Sequence, residues 1–420
     1  MNFLQKLRSE NISDEDIIRA FQNICGGYSY SSDALFTFNK NGILFSNVNV
    51  SKKGTISKIE VGQYLSSPKT QNEFIQNLLF DLKECHGYKI ANRVLMSYKP
   101  LNGQFKYKDY FRIRPLENLT MIGKDLALGV EYSNLTKDNY YLGPPFPLIL
   151  EVRVPKSPNN FVELDRTFKL LDTYQWLISL LFTGVYSYPN LSSSVPKWVV
   201  IKQDNLVKYH LAYESFGLHV DDNETKDNFS ERSFPEIQKW EGEVDYYNHL
   251  WVHDKTLLAP NYLEALLNNF ESLNDKQKSR FNRALYWYNV GQRLFKSEHG
   301  ISVIAFTAAI ECLLEPSNLE KCEACGGTKA NGPTAQFNKF MATHLDIPDN
   351  ISKFRDKIYD IRSDLVHGNN VNYVDTGFSS ILNHQHQEMI TQTFVQRALI
   401  GWLRTGELNV SKNQSDNPNN

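Results

Sequence analysis

From residue 275 to residue 406 the chain is written almost entirely in helical periods, and that pattern restricts it to a helical bundle. "DKQKSRFNRALYWYNVGQRLFKS" (275–297) spaces its apolar residues three and four apart, as a long amphipathic helix does. "SVIAFTAAIECLLEP" (302–316) is more apolar, so it is expected at the centre of the bundle, stopped by Pro316. "PTAQFNKFMATHL" (333–345) reads as a third helix. "NISKFRDKIYDIRSDLVHG" (350–368) reads as a fourth, with Asn350 able to cap its start and Gly368 its end. "SILNHQHQEMITQTFVQRALIGWLRTG" (380–406) is the fifth. Helices with one apolar face and short connections bury those faces against each other.

The preceding part has a different grammar. Residues 3–24 predict a short helix followed by a second one, for which "SDED" (13–16) supplies an N-cap and an acidic first turn. "LFTFNKNGILFS" (35–46) predicts a hairpin turning on Asn41-Gly42. "VLMSY", "YFRIR" and "LILEVRV" (148–154) are further strands, and "KWVVIKQDNLVKYHLAY" (197–213) is a second hairpin. Two helical patterns interrupt them, at about 70–86 and at 163–182. At "DDNETKDNFSERS" (221–233) the chain turns polar. The expected organisation is an α+β domain over 1–225 with a sensing or regulatory role, a linker and connecting helix over 226–270, an all-α bundle over 271–408, and a disordered tail over 409–420. A chain of 420 residues is too long for one ordinary core, which agrees with that division.

Charge narrows the partners. A net charge of −2 gives no global attraction to nucleic acid, so any such binding must come from a local patch. The first residues lack a basic segment followed by an apolar one, and the longest apolar run, "WLISLLFTGVY" (176–186), is too short for a membrane span. Five cysteines and no secretion signal lead to the expectation of a cytoplasmic protein with reduced thiols and no membrane association.

Within the fourth helix, "RSDLVHG" sets Arg362 and His367 five residues apart. With 15 Arg and 10 His in the chain, the bare spacing is close to what chance supplies, and Arg293 with His299 shows a similar gap. Context separates the two. Ile358, Ile361 and Leu365, joined by Tyr359 and Val366, form the apolar stripe, and Arg362 falls off it. His367 falls on the last turn, where the helix dipole favours a cation. Asp364, three residues earlier, can reach the same surface and orient the imidazole. In a straight helix Arg362 and His367 point about 140° apart, so one regular helix cannot aim both at one phosphate. Either the last turn bends or a second copy completes the site.

A bundle whose late helix carries "YDIRSDLVHG", preceded by a central helix like "AFTAAIECLLEP", resembles the HEPN superfamily, most closely its ApeA-like anti-phage group. The resemblance covers roughly residues 275–405. It implies a metal-independent endoribonuclease of abortive-infection defence, cleaving RNA, with tRNA a plausible substrate, to a 2′,3′-cyclic phosphate. It implies a homodimer whose active site draws Arg362 and His367 from both copies, and a phage-encoded trigger protein acting on the N-terminal domain. Ser363 and Asp364 would support the pair. Arg355 and Lys357 on the same helix would add local RNA affinity. Independently of the resemblance, Glu311 is an acid within an apolar helix and reads either as a partly exposed position at the bundle end or as a carboxylate that pairs with Arg362. HEPN bundles without activity exist, so the alternative implied by the same resemblance is a non-catalytic interaction module that binds a protein or nucleotide and scaffolds a complex.

"KCEACGGTKANGP" (321–333) raises a separate expectation. Cys322 and Cys325 have the spacing of half a structural zinc site, with Cys312 and His344 as candidate further ligands. The competing reading is a plain glycine-rich loop, with Cys312 a buried small apolar residue. His384 and His386 read as solvated helix positions. No phosphate-binding loop, dinucleotide fingerprint, HExxH or nucleophile elbow is present in the sequence, and no cofactor is expected for catalysis.

Overall fold

The protein is described by a computed structural model. It describes residues 2–10, 12–26, 28–31, 35–51, 55–83, 87–97, 99–115, 120–121, 146–187, 197–203, 206–212, 218–219, 229, 234–248, 255–295, 298–314, 320–321, 328–329, 332–345, 349–367 and 378–405. The N-terminal region is α+β and the C-terminal region is helical. The chain forms two compact units. Residues 1–91, 151–172 and 223–231 make the first; residues 92–150, 173–222 and 232–420 make the second. The division is therefore not one cut near residue 225. The expected linker at 221–233 lies outside the described residues except for Phe229, as does the tail beyond 405.

The first unit opens with α1 (Phe3–Ser9) and α2 (Asp14–Cys25). Asn2 and Gln5 form a reciprocal capping box at α1, and Ser13 caps α2 ahead of three acidic residues in its first turn. Strands β1 (Ser29–Ser31), β2 (Leu35–Lys40), β3 (Ile43–Val50) and β4 (Ile56–Val61) follow as an antiparallel meander. The β2–β3 turn is Asn41-Gly42, with φ of 53° and 76°. Two consecutive positive values define the turn whose twist matches that of the flanking strands. Helix α3 (Pro68–Lys83) closes this part of the unit. Phe21 on α2 sits at its centre, with ring centroids 5.4 Å from Phe38, 5.3 Å from Phe45 and 5.4 Å from Phe74.

A five-stranded sheet is built from β5 (Tyr88–Ser97), β6 (Phe105–Tyr107) and β7 (Phe111–Pro115), then, beyond the short β8 (Thr120–Met121), from β9 (Phe146–Pro155). Helix α4 (Asn160–Leu181) leads to its last strand, β10 (Val185–Ser187). The strand order is β10-β5-β9-β7-β6. A hairpin of β11 (Lys197–Gln203) and β12 (Leu206–Ala212) stands where the alternation at 197–213 predicts one. Strand β13 (Leu218–His219) pairs with β8.

The helices of the second unit are α5 (Leu263–Ser272), α6 (Asp275–Leu294), α7 (His299–Glu311), α8 (Pro333–His344), α9 (Asp349–His367) and α10 (Phe378–Thr405). Between α7 and α8, β14 (Glu320–Lys321) pairs with β15 (Thr328–Lys329). As its composition requires, α7 is central, packing against α6, α8, α9 and α10. Val303, Ala305, Phe306, Ala309 and Ile310 are all buried on it. Two glycines permit the close approaches. A Cβ on Gly291 of α6 would stand 2.6 Å from the Phe306 ring, and one on Gly401 of α10 would stand 1.9 Å from the His344 carbonyl oxygen. The end of α4 is tied into the same bundle. The carbonyls of Ser179, Leu180 and Leu181 accept hydrogen bonds from Gln292, Gln396 and the Tyr247 hydroxyl. These are carbonyls that a helix end leaves without internal partners.

Three local expectations are corrected. Helix α7 stops at Glu311, ahead of Pro316. Arg280 of α6 donates to the carbonyls of Cys312 and Leu314 at 3.2 and 2.7 Å, satisfying the exit of the helix by a cationic cap. Asn350 lies inside the first turn of α9, which begins at Asp349, so it does not cap that helix. Val366 is 47% exposed and does not belong to the buried stripe.

Candidate functional site

The site is built where the end of α7 meets the second half of α9. Glu311 is the last residue of α7, at the negative end of the helix dipole, an unfavourable place for a carboxylate. Arg362 of α9 answers it, with a guanidinium nitrogen 3.3 Å from the Glu311 carboxylate. Both side chains keep about a quarter to a third of their surface in contact with solvent, 25% for Arg362 and 31% for Glu311.

Tyr359 stands one turn before Arg362 and is buried. The Arg362 guanidinium lies 5.4 Å from the centre of its ring, and Phe337 of α8 packs against that ring at 5.0 Å. Burial, followed by the charge of Glu311 and a hydrogen bond with it, raises the Tyr359 hydroxyl above its ordinary value. The phenol therefore stays protonated and donates to Glu311. Arg362 is thus held by a carboxylate on one side and an aromatic face on another, which fixes a long flexible side chain at an accessible position.

His367 ends α9, exposed to solvent. Helix α9 continues through His367, and on a regular helix Arg362 and His367 point about 140° apart. Ser363 and Asp364 are half-buried on the intervening turn. Arg355 is half-buried, with its Nε 2.8 Å from the carboxylate of Asp356, and Lys357 is exposed. The structure therefore brings Glu311 to Arg362 and leaves His367 apart from them.

Of the four candidate zinc ligands, Cys312 and His344 are described. Cys322, Cys325 and Gly368 lie outside the described residues. Cys312 is half-buried at the exit of α7, and burial pushes its thiol up, against the lowering influence of Arg283. His344 turns toward α10, its Nδ1 3.2 Å from the Thr405 hydroxyl and its ring against Phe340 at 4.5 Å. Burial lowers the basicity of that imidazole. Among the described residues no three His, Cys, Asp or Glu side chains gather as a metal site would require. No described helix is long and apolar enough to cross a membrane. The side chains of His384 and His386 lie outside what is described.

Sequence reasoning did not single out Tyr359 as anything but core, nor Arg280 at all. The signal for Tyr359 was its place three residues before Arg362, the spacing at which two helical side chains share a face. No family model, curated protein or solved structure matches this chain.

Proposed function

We propose that the protein is a metal-independent endoribonuclease of the HEPN kind, acting in defence against phage, with Arg362 and His367 as its catalytic pair. The observation that carries this reading is the tethered Arg362 guanidinium. It is a permanent cation, held by Glu311 at 3.3 Å yet with a quarter of its surface open, at the rim of a helical bundle. A guanidinium has five N–H donors in a fixed fork, so engagement with one carboxylate oxygen leaves donors for a phosphate.

The chemistry follows from these groups. The 2′-oxygen of a ribose attacks the adjacent phosphorus, and the bond to the 5′-oxygen breaks. The imidazole of His367 takes the 2′-hydroxyl proton and, as the imidazolium, gives a proton to the departing 5′-oxygen, leaving a 2′,3′-cyclic phosphate and a 5′-hydroxyl. Arg362 balances the charge that builds on the phosphorane oxygens. Histidine suits the proton steps because it titrates near neutrality. Since Arg362 and His367 diverge on one helix, the working constellation takes His367 from a second copy, and the active species is a homodimer. tRNA and other structured RNA are the substrate class in this reading, and the N-terminal region answers a phage-encoded trigger.

The same ion pair favours one other reading, a non-catalytic interaction module. An arginine already committed to Glu311 and a histidine on another face are also what a purely structural helix end would have. Cleavage separates the two. Purified wild type, Arg362→Ala and His367→Ala are incubated with total RNA and with tRNA, and the new ends are mapped. Loss of cutting in both variants supports the nuclease. Equal cutting by all three proteins removes it.

A further inference from the structure

The second halves of α4 and the first half of α6 enclose an open cleft of about 570 Å³. Its walls include Trp176, Lys278, Ser279, Asn282, Arg283 and Tyr286. Trp176 and Tyr286 meet edge to face with ring centroids 5.5 Å apart, and Tyr286 meets Trp287 in the same manner at 5.5 Å. Tyr286 and Trp287 are 42% and 38% exposed. Aromatic rings of this size on a bundle helix ordinarily turn inward, and a run of them left open is a surface with a use.

The polar groups of the cleft are arranged around that shelf. The Asn282 side-chain oxygen is shielded from solvent and has no hydrogen-bond partner among the described residues. A buried acceptor without a donor is costly, and because Asn282 lines the cleft, a turn of its amide toward the opening would let a ligand N–H relieve it. Lys278 is committed to Glu271 at 2.7 Å. Arg283 is exposed and reaches the Ser279 hydroxyl at the long distance of 3.4 Å, which leaves its guanidinium fork available to an anion. Asp275 also lines the cleft, and its charge disfavours a densely anionic group such as a triphosphate.

We propose that this cleft holds one unpaired nucleotide of a single-stranded RNA. The base lies against Trp176 and Tyr286, an N–H on its edge donates to Asn282, and its phosphate meets Arg283. Stacking accepts any base, and the amide adds a preference among them. One cation beside one carboxylate fits the single charge per residue of a strand. The proposal rests on the ribonuclease reading only in taking RNA as the partner, and it concerns residues apart from Arg362 and His367.

The test measures binding, so that it does not depend on cleavage. Full-length His367→Ala protein is titrated into fluorescein-labelled 12-nucleotide strands of poly(A), poly(U) and poly(C), and fluorescence anisotropy is read. Tyr286→Ala, and Trp176→Leu to preserve bulk, are each expected to weaken binding about ten-fold while melting as the parent does. Arg283→Gln is expected to flatten the dependence of log affinity on log salt by about 0.7. Asn282→Ala is expected to change the ranking of the three strands. A pre-formed RNA duplex, whose bases are already stacked, is expected to be indifferent to Tyr286→Ala. Unchanged affinity in a folded Trp176→Leu/Tyr286→Ala double variant would overturn the proposal, as would no detectable binding by the parent. Two further outcomes overturn it by naming another occupant. One is competition by AMP as strong as by a strand, which makes the cleft a free-nucleotide site. The other is a change of oligomeric mass in the double variant with RNA affinity intact, which makes the shelf a protein contact. If the proposal fails while wild type still cuts RNA in an Arg362-dependent way, the nuclease reading stands without it.

Discussion

Glu311 and Arg362 come together across two helices, the carboxylate from the last residue of α7 and the guanidinium from the second half of α9, 3.3 Å apart. The pair sits in an electrostatic frame set by backbone. The exit of α7 disfavours Glu311, while Arg362 and the Tyr359 hydroxyl make it tolerable.

That balance separates a positioning role from a structural one. Glu311→Gln gives up an ion pair worth at most about 1 kcal/mol, and it also removes the unfavourable interaction of a carboxylate with the helix exit, of similar size. Stability should therefore change by less than about 0.5 kcal/mol in urea unfolding. Cleavage should fall about ten-fold, chiefly in kcat, because the guanidinium loses its tether. A large loss of stability with undiminished cutting would make the pair a strut.

Arg362 is expected to tolerate lysine poorly. Arg362→Lys keeps the charge but loses the planar fork and its stacking on Tyr359 at 5.4 Å. Single-turnover cleavage should drop at least ten-fold with the melting temperature nearly unchanged. Full activity in Arg362→Lys would mean that charge alone is used there.

The glycine at the α8–α10 crossing is a sharper structural test. Gly401→Ala would drive a methyl group into the His344 carbonyl oxygen, a backbone atom that cannot rotate away. Loss of about 3 kcal/mol or more, seen as a lower urea midpoint, is expected. Gly291→Ala meets the Phe306 ring instead, which can shift, and should cost about 1–3 kcal/mol.

Asp245 provides the pH dependence. It accepts hydrogen bonds from the Tyr262 hydroxyl at 2.8 Å and the Tyr247 amide at 3.0 Å, and pairs with Arg404 at 3.1 Å. Burial opposes its ionisation, but those donors prevail and hold its carboxyl below the ordinary carboxylate range. The unfolded chain thus takes up the proton first, and the stabilisation present above the ordinary aspartate range is lost as pH falls through the lowered value. At pH 7 Asp245→Asn should be less stable by about 1 kcal/mol, a figure kept small because Arg404 is well exposed. The gap between wild type and variant should close in acid, read as urea midpoints across a pH series.

How much of this was legible beforehand varies by kind of signal. Hydrophobic periodicity located α3, α4, α6, α7, α8, α9 and α10 to within a few residues, and Asn41-Gly42 specified its turn, because those signals are local. The ends of helices were less legible. Pro316 suggested where α7 stops, but the helix ends at Glu311, where Arg280 from another helix reaches its last carbonyls, and no local pattern encodes that. The division into units was illegible for a related reason: the second unit joins strands near residue 110 to helices near residue 270, as in the hydrogen bond from the Tyr107 hydroxyl to Asn268 at 2.8 Å. Glu311 stood out as an acid in an apolar helix, and its pairing with Arg362 was one of two readings the sequence left open. Tyr359 looked like core, and it is core that also touches the site.

The central claim is that Arg362 and His367 from different copies build one RNA-cleaving site. The most direct measurement is complementation: Arg362→Ala and His367→Ala are purified, mixed in equal amounts, allowed to exchange subunits, and assayed for 2′,3′-cyclic phosphate ends on RNA. Each variant alone should lose about 10²–10⁴-fold in cleavage. Half of the exchanged dimers would be mixed, each with one intact site, so the mixture should recover roughly a quarter of wild-type activity. Either variant cutting as well as wild type by itself would contradict the account.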